Sequence, residues 1–208
     1  MQLGRISLSP FQYNPSTNEL KIITNLQVKV VFKNADIEVN QKNRVKYYSH
    51  EFEQLYRKTI NYVDPGFSKD IITTYPTKYV IVSDPSFQSA LQPLIEWKIK
   101  KGFMVVEAYT NDPLVGNTTA SIHSFIKDMY DNATLVDPAP TYLLIVGDDA
   151  QVPSFSGNSG SHLSDMYYCE FDGGGDFYPE MYYGRLSATN ISEVEAQVDK
   201  TLTYEQYT

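Results

Sequence analysis

The sequence is poor in cysteine, in tryptophan, in positive charge and in long apolar runs, and each shortage excludes something. One cysteine, Cys169, in 208 residues rules out an internal disulfide framework and says little about compartment. Lys and Arg number 17 against 25 Asp and Glu, giving a net charge of −8 and a pI near 4.8. Nucleic acid and anionic membranes are gripped by clustered cations, so neither is an expected partner. No apolar run approaches a membrane span, so none is expected, and MQLGRISLSP has no signal-peptide core. A leader lost further upstream remains compatible with this start. What the chain does have is 42% hydrophobic residues and 17 Tyr against 1 Trp, a globular composition suited to β-rich surfaces.

Taken in order, residues 1–33 read as β. ISLSPFQY leads into the turn signal NPSTN, and ELKIITNLQVKVVF alternates as a half-buried strand should. Residues 34–44 read as polar linker. Ser49 is placed to cap a short helix with Phe52, Leu55, Tyr56 and Ile60 on one face. Between Asn61 and Thr77, Pro65, Gly66 and Pro76 interrupt any period, and a domain boundary is expected there. The expected units are 1–75, β-rich with a linker, and 76–208, α/β.

From Lys78 the rhythm changes. KYVIVS reads as a buried strand. Asp84-Pro85 opens a helix with Phe87, Leu91, Leu94 and Ile95 inward, which Pro93 should kink or restart and Gly102 should stop. FMVVEAY is a second strand. Thr118 or Thr119 caps a helix carrying Ile122, Phe125, Ile126 and Met129, and TYLLIVGDD is a third strand. Strand, helix, strand, helix, strand implies a parallel sheet, whose ligands bind beyond the carboxyl ends of the strands, where Asp148 and Asp149 sit. Residues 151–164 read as an irregular Ser/Gly-rich loop. Asn190 to Glu193 is a capping-box-like start to a final helix burying Ile191, Val194, Val198 and Leu202. That helix should lead to another parallel strand, so the chain is expected to be a piece of a longer protein.

The organising stretch is YCEFDGGGDFYPEMYYGRLSA, Tyr168 to Ala188. Two aromatic, β-prone runs flank a DGGGD turn, and carboxylates recur at Asp172, Asp176 and Glu180. Three hard carboxylates plus backbone carbonyls on a pliable turn are what Ca²⁺ asks for. The same pattern also serves a β-hairpin whose turn needs Asp and Gly for positive φ, with no metal at all.

These runs resemble the gingipain family of secreted cysteine peptidases, whose fold is caspase-like. The likeness begins at KYVIVS and LIEWKIKKGF. It continues through HSFIKDMY, TYLLIVGDDAQVP, LSDMYY, DFYPEMYYGRLSA and VDKTLTYEQY, and it is strongest to the lysine-specific branch. SPFQYNPSTNELKI is similar to the end of that family's prosegment. The resemblance implies the end of a β-rich prosegment joined to a first catalytic subdomain, extracellular or on the cell surface. It also implies a structural Ca²⁺ held by Asp148, Asp172, Asp176, Glu180 and the carbonyl of Tyr178. DGGGD is longer than the turn of that branch, which bears most on Asp172.

The family's nucleophilic cysteine and basic histidine each follow a later strand and have no counterpart here. Cys169 beside Glu170 and Asp172 lacks the electropositive setting of a thiolate. His162 lies across a loop, His123 among apolar helix neighbours, and His50 at a helix start. No catalytic residue is therefore assigned. The expected role is scaffold: to flank the substrate cleft for a protein or peptide, pack against the dyad-bearing second half, and hold Ca²⁺ without activity of its own. Activation cleavage is expected in the linker, which carries Lys69. The alternative is a stand-alone calcium-stabilised binding module. The two are to be separated by whether the stripe Val194, Val198 and Leu202 is covered within the chain. A Mg²⁺-dependent phosphotransfer domain on Asp148 and Asp149 would need a Gly-rich phosphate loop, which is missing.

Overall fold

The computed structural model describes residues 5–62, 76–157, 160, 162–173 and 178–207. It divides into two compact units, Met1–Arg44 and Val45–Thr208. The expected boundary, 61–77, falls mostly outside the described residues, as does Lys69.

In the first unit β1 (Phe11–Asn14) pairs antiparallel with β2 (Glu19–Ile22), Phe11 opposite Ile22. Asn18 turns the chain at φ 54° and accepts a hydrogen bond from the Tyr13 hydroxyl at 2.9 Å. Every residue of both strands is exposed. The long strand expected to run to Phe32 is only these four residues, because among the described residues nothing pairs with 24–32. A strand without a ladder partner leaves its backbone groups to water. The stretch read as polar linker instead holds α1 (Ile37–Lys46), started by Asp36, whose carboxylate accepts from Val39 N at 3.0 Å. It buries no residue, so the sequence offered no apolar stripe to reveal it.

The second unit is a four-stranded parallel sheet in the order β4-β3-β5-β8. The strands are β3 (Thr77–Ser83), β4 (Phe103–Tyr109), β5 (Pro140–Val146) and β8 (Tyr182–Leu186). Alternate residues supply two cores. Val80, Val82, Leu143 and Ile145 face α4 (Thr119–Asp131) through Ile122 and Ile126. Ile81, Leu144 and Val146 face α3 (Gln88–Lys100) and α5 (Ile191–Tyr207) through Leu91, Leu94, Ile95, Val194 and Val198. A sheet covered on both faces explains the unbroken apolar runs KYVIVS and TYLLIV. Each fully buried Leu or Ile contributes about 1.5–3 kcal/mol.

The helix ends follow the sequence signals. Asp84 accepts from Ser86 N at 2.9 Å ahead of Pro85, and Thr118 and Ser121 form a reciprocal capping box. Gly102, at φ 91°, ends α3 with its amide bonded to Ile99 O. Pro93 neither restarts nor ends α3. It lies in the second turn, where the one bond it removes is the acceptor role of Ser89. Ser49 precedes a 3₁₀ turn (His50–Phe52) without capping it; its hydroxyl meets Thr141 instead. Only α2 (Glu53–Tyr56) follows, with Ile60 fully exposed. In α5, Ile191 is exposed, whereas Val194 and Val198 are buried and Leu202 packs, partly buried, against the same core.

Candidate functional site at the ends of the sheet

β3 is central, with β4 on one side and β5 on the other, so the crevice of an open parallel sheet lies beyond the carboxyl ends of β3 and β5. The residues there are Ser83, Asp84 and the loop Gly147-Asp148-Asp149. Gly147 sits at φ 128°, and a Cβ there would come within 2.7 Å of Gln151 Cβ. The acids at this edge hold local structure. Asp148 accepts from Ser187 Oγ at 3.2 Å, and Asp149 accepts from Ser154 N at 2.7 Å. A small antiparallel pair, β6 (Phe155–Ser156) and β7 (Leu163–Ser164), stands beside them within the loop expected to be irregular. His162 lies against Gly157, where a Cβ would lie 2.0 Å from the ring nitrogen Nε2.

Behind this edge Arg185 uses all its donors. Nε and one Nη2 hydrogen bond hold Asp165 at 2.8 and 2.7 Å. Nη1 reaches the carbonyls of Gly147 and Val152 at 2.8 and 2.9 Å, and Nη2 also reaches Ser154 Oγ at 3.1 Å. A guanidinium offers five N–H groups, so none is left over. The carboxylate that pairs with Arg185 is that of Asp165. The grip of Arg185 on the Gly147–Ser154 loop went unread; the signal was a cation in an otherwise aromatic and apolar run.

The stretch 168–188 is not a β-hairpin. Tyr168 and Cys169 end a 3₁₀ turn (Met166–Cys169) and are wholly buried with Phe171 in the core against α4. β8 pairs parallel with β5, Tyr142 opposite Tyr182 and Val146 opposite Leu186. Burial won over strand propensity, since Tyr168, Cys169 and Phe171 close the core there. The loop is pinned where its ends meet: Glu180 N donates to Cys169 O at 2.8 Å, and Phe171 N donates to Glu180 Oε2 at 2.9 Å.

This topology decides which expected calcium ligands meet. Glu180 lies before the amino end of β8, whereas Asp148 lies past the carboxyl end of β5. Four strand steps of about 3.3 Å, roughly 13 Å of sheet, separate those ends. Asp148 is therefore not brought to the other carboxylates. The Glu180 carboxylate accepts from the amide of Phe171, the residue before Asp172, so the chain places these two acids in one neighbourhood. Tyr178 is exposed, and Asp176 lies outside the described residues. Among the described residues no three His, Cys, Asp or Glu side chains form a metal cluster. The donors present, hard carboxylate oxygens beside a turn, fit Ca²⁺ in kind.

The nucleophile question has a direct answer. Cys169 is 0% exposed, and burial pushes its thiol up, reinforced by the charges of Glu180, Asp165 and Glu170. His123 bonds Glu170 O at 3.0 Å and packs near Phe155 and Phe171. His50 is exposed on its 3₁₀ turn. A protonated core thiol and a histidine committed to packing do not make a dyad. No helix among the described residues is long and apolar enough to cross a membrane.

Residues 72–208 match the profile of Peptidase family C25, and residues 1–60 match the C25 propeptide. The chain is 34% identical to Lys-gingipain of Porphyromonas gingivalis over its whole length, and spans 12% of that protein. A solved protease structure is similar over 66% of this chain and 31% of its own, with 36% identity and a TM-score of 0.59. The crystal structure of gingipain R, an Arg-specific cysteine proteinase, is similar over 63% of this chain and 29% of its own, with 25% identity and a TM-score of 0.54.

Proposed function

Because the chain belongs to peptidase family C25, with that family's propeptide matched ahead of it, we propose that it is the dyad-lacking amino-terminal part of a gingipain-like cysteine endopeptidase precursor. The observation that carries this is the pairing of a parallel sheet of the family's kind with a Cys169 that is sealed in the core. The parent would attack a peptide carbonyl with a thiolate, a histidine moving the proton and backbone amides holding the oxyanion. Its nucleophile and base would come from a second half, docked at the carboxyl edge of the sheet. Arg185 and Asp165 would fix the loop of Gly147 to Ser154 as one wall of the cleft. The parent would work outside the cytoplasm or on the cell surface, in keeping with the gingipain resemblance.

The 208 residues alone are expected to cleave no peptide substrate. Cleavage abolished by Cys169→Ala would overturn this assignment.

Calcium belongs to the same proposal, with Asp148 left out. Asp172, Asp176, Glu180 and the Tyr178 carbonyl would hold the ion at the amino end of β8. The ion would be structural, offsetting repulsion among the carboxylates. Isothermal titration of the chelator-treated chain with Ca²⁺ should show saturable binding that Glu180→Gln weakens and Asp148→Asn leaves intact. Equal loss in both variants would return Asp148 to the site, and no heat at all would remove calcium.

A second reading, a stand-alone calcium-stabilised module, is supported by the covering of Val194, Val198 and Leu202. A parent reading frame bringing a later His and Cys would decide against it.

A further inference from the structure

The Lys and Arg side chains of the second unit are placed unlike its acids. From Gly102 to Ile126, and again from Asp128 to Gly184, the chain carries no Lys or Arg. These two stretches hold the turn after β4, the turn after α4 and the whole run between β5 and β8. Asp112, Asp137, Asp148, Asp149, Asp165 and Asp172 all lie there, outside helices and strands.

The cations lie instead within the regular elements or at their ends, and their contacts hold them there. Lys78, at the start of β3, has a side chain 2% exposed and sets Nζ 2.6 Å from Asp137. Arg185 is enclosed in β8 against Asp165. Lys98 and Lys101 meet Glu205 at 2.6 and 3.1 Å, and Lys127 meets Asp131 one turn further along α4 at 2.6 Å. Lys100 ends α3, and Lys200 lies inside α5. Lys101 stands just past its helix, yet the amides of Lys101 and Gly102 stay bonded to Trp97 O and Ile99 O.

An endopeptidase takes its substrate as an extended strand, so the residue it reads must first be freed from helix or sheet. Loops reach that state at little cost, whereas core strands and packed helices need an opening that approaches global unfolding. In the first unit the placement is the reverse. Arg5, Lys29 and Lys33 are exposed outside any helix or strand, and Lys21 is exposed on a hairpin that buries nothing.

We propose that this placement of cations is a filter on proteolysis. Folded residues 78–185 are refractory to endopeptidases that require Lys or Arg before the cut bond, and open to those that require an apolar residue in the same loops. This goes beyond the proposed function and needs neither calcium nor peptidase activity. The loops are not closed to proteases in general, because Leu114, Leu135 and Leu163 are 80%, 56% and 59% exposed. What they lack is the charge that a basic-specific enzyme reads.

The test digests the full chain with trypsin and, in parallel, with chymotrypsin, and identifies the fragments by mass. Trypsin should trim the first unit and leave Lys78 to Arg185 unbroken about tenfold longer than chymotrypsin does. Tryptic cuts inside 78–185 as fast as the chymotryptic ones would overturn the proposal. Equal resistance to both enzymes would overturn it too, since the loops would then exclude any protease whatever their charge. Leu163→Lys places a cation at an exposed position of the same region. It should open a tryptic cut between residues 163 and 164 and shorten the life of the fragment about tenfold. Should that variant not fold, Leu135→Lys gives the same reading between residues 135 and 136. A folded variant that survives trypsin as long as the unsubstituted chain would overturn the proposal equally.

Discussion

Two regions of this chain use similar residues to opposite effect. In the first unit Phe11, Tyr13, Leu20, Ile22 and Phe32 are all at least half exposed, and none of its described residues is buried. In the second, Val80, Leu91, Ile122 and Ile145 are 0% exposed. Strand propensity is comparable in both. The difference is coverage: β3 and β5 have neighbours on both edges and helices on both faces, whereas β1 and β2 have only each other. An apolar pattern therefore stabilises a fold only where a second layer removes it from water.

The largest test of this contrast is Arg185→Lys. A lysine cannot reproduce the fork that holds Asp165 and two carbonyls. Breaking a pair whose side chains are 13% and 16% exposed should cost about 3–5 kcal/mol in urea unfolding of the second unit. A cost below about 1 kcal/mol would mean the covered layer does not depend on its buried charges.

A smaller effect is expected where α5 meets α3. Burial pushes the Glu205 carboxyl up, but hydrogen bonds from Lys98, Lys101 and Trp97 outweigh it and hold the group at about 2. The folded-state value lies below the unfolded one, so this stabilisation is full above 4.5 and is lost as pH falls toward about 2. Glu205→Gln should lower the melting temperature near neutral pH, at a cost on the order of 1 kcal/mol after solvent screening. Wild type and variant should converge near the acid end. A gap that persists there would assign the effect to packing instead of charge.

The smallest effect is expected in the first unit. Leu20→Ala and Tyr13→Ala should each change stability by less than about 0.5 kcal/mol, as exposed substitutions do. A loss of 2 kcal/mol or more in thermal unfolding would show that this hairpin is covered in solution, and would erase the contrast.

What could be read in advance follows the same division. The βαβ rhythm, the caps at Asp84 and Thr118, the stop at Gly102 and the inward faces of α3 and α4 were legible, because local chemistry and burial agree there. α1 was hidden because it has a cap but no buried face. The stretch 168–188 misled because aromatic residues signal strand and core alike. Its residues went to the core at Tyr168, Cys169 and Phe171 before the strand resumed at Tyr182. Asp148 and Glu180 are only 32 residues apart in the chain, yet the parallel pairing of β5 and β8 sends them to opposite edges. No local pattern carries that; it takes the strand direction.

Trp97 is the chain's single tryptophan, and its indole N–H donates to Glu205 at 2.9 Å across the joint between α3 and α5. The molecule therefore carries a native optical gauge at the last described helix in chain order. Tryptophan emission should move to longer wavelength when α5 lifts away, so the seating of this helix can be followed by colour alone, with no label attached.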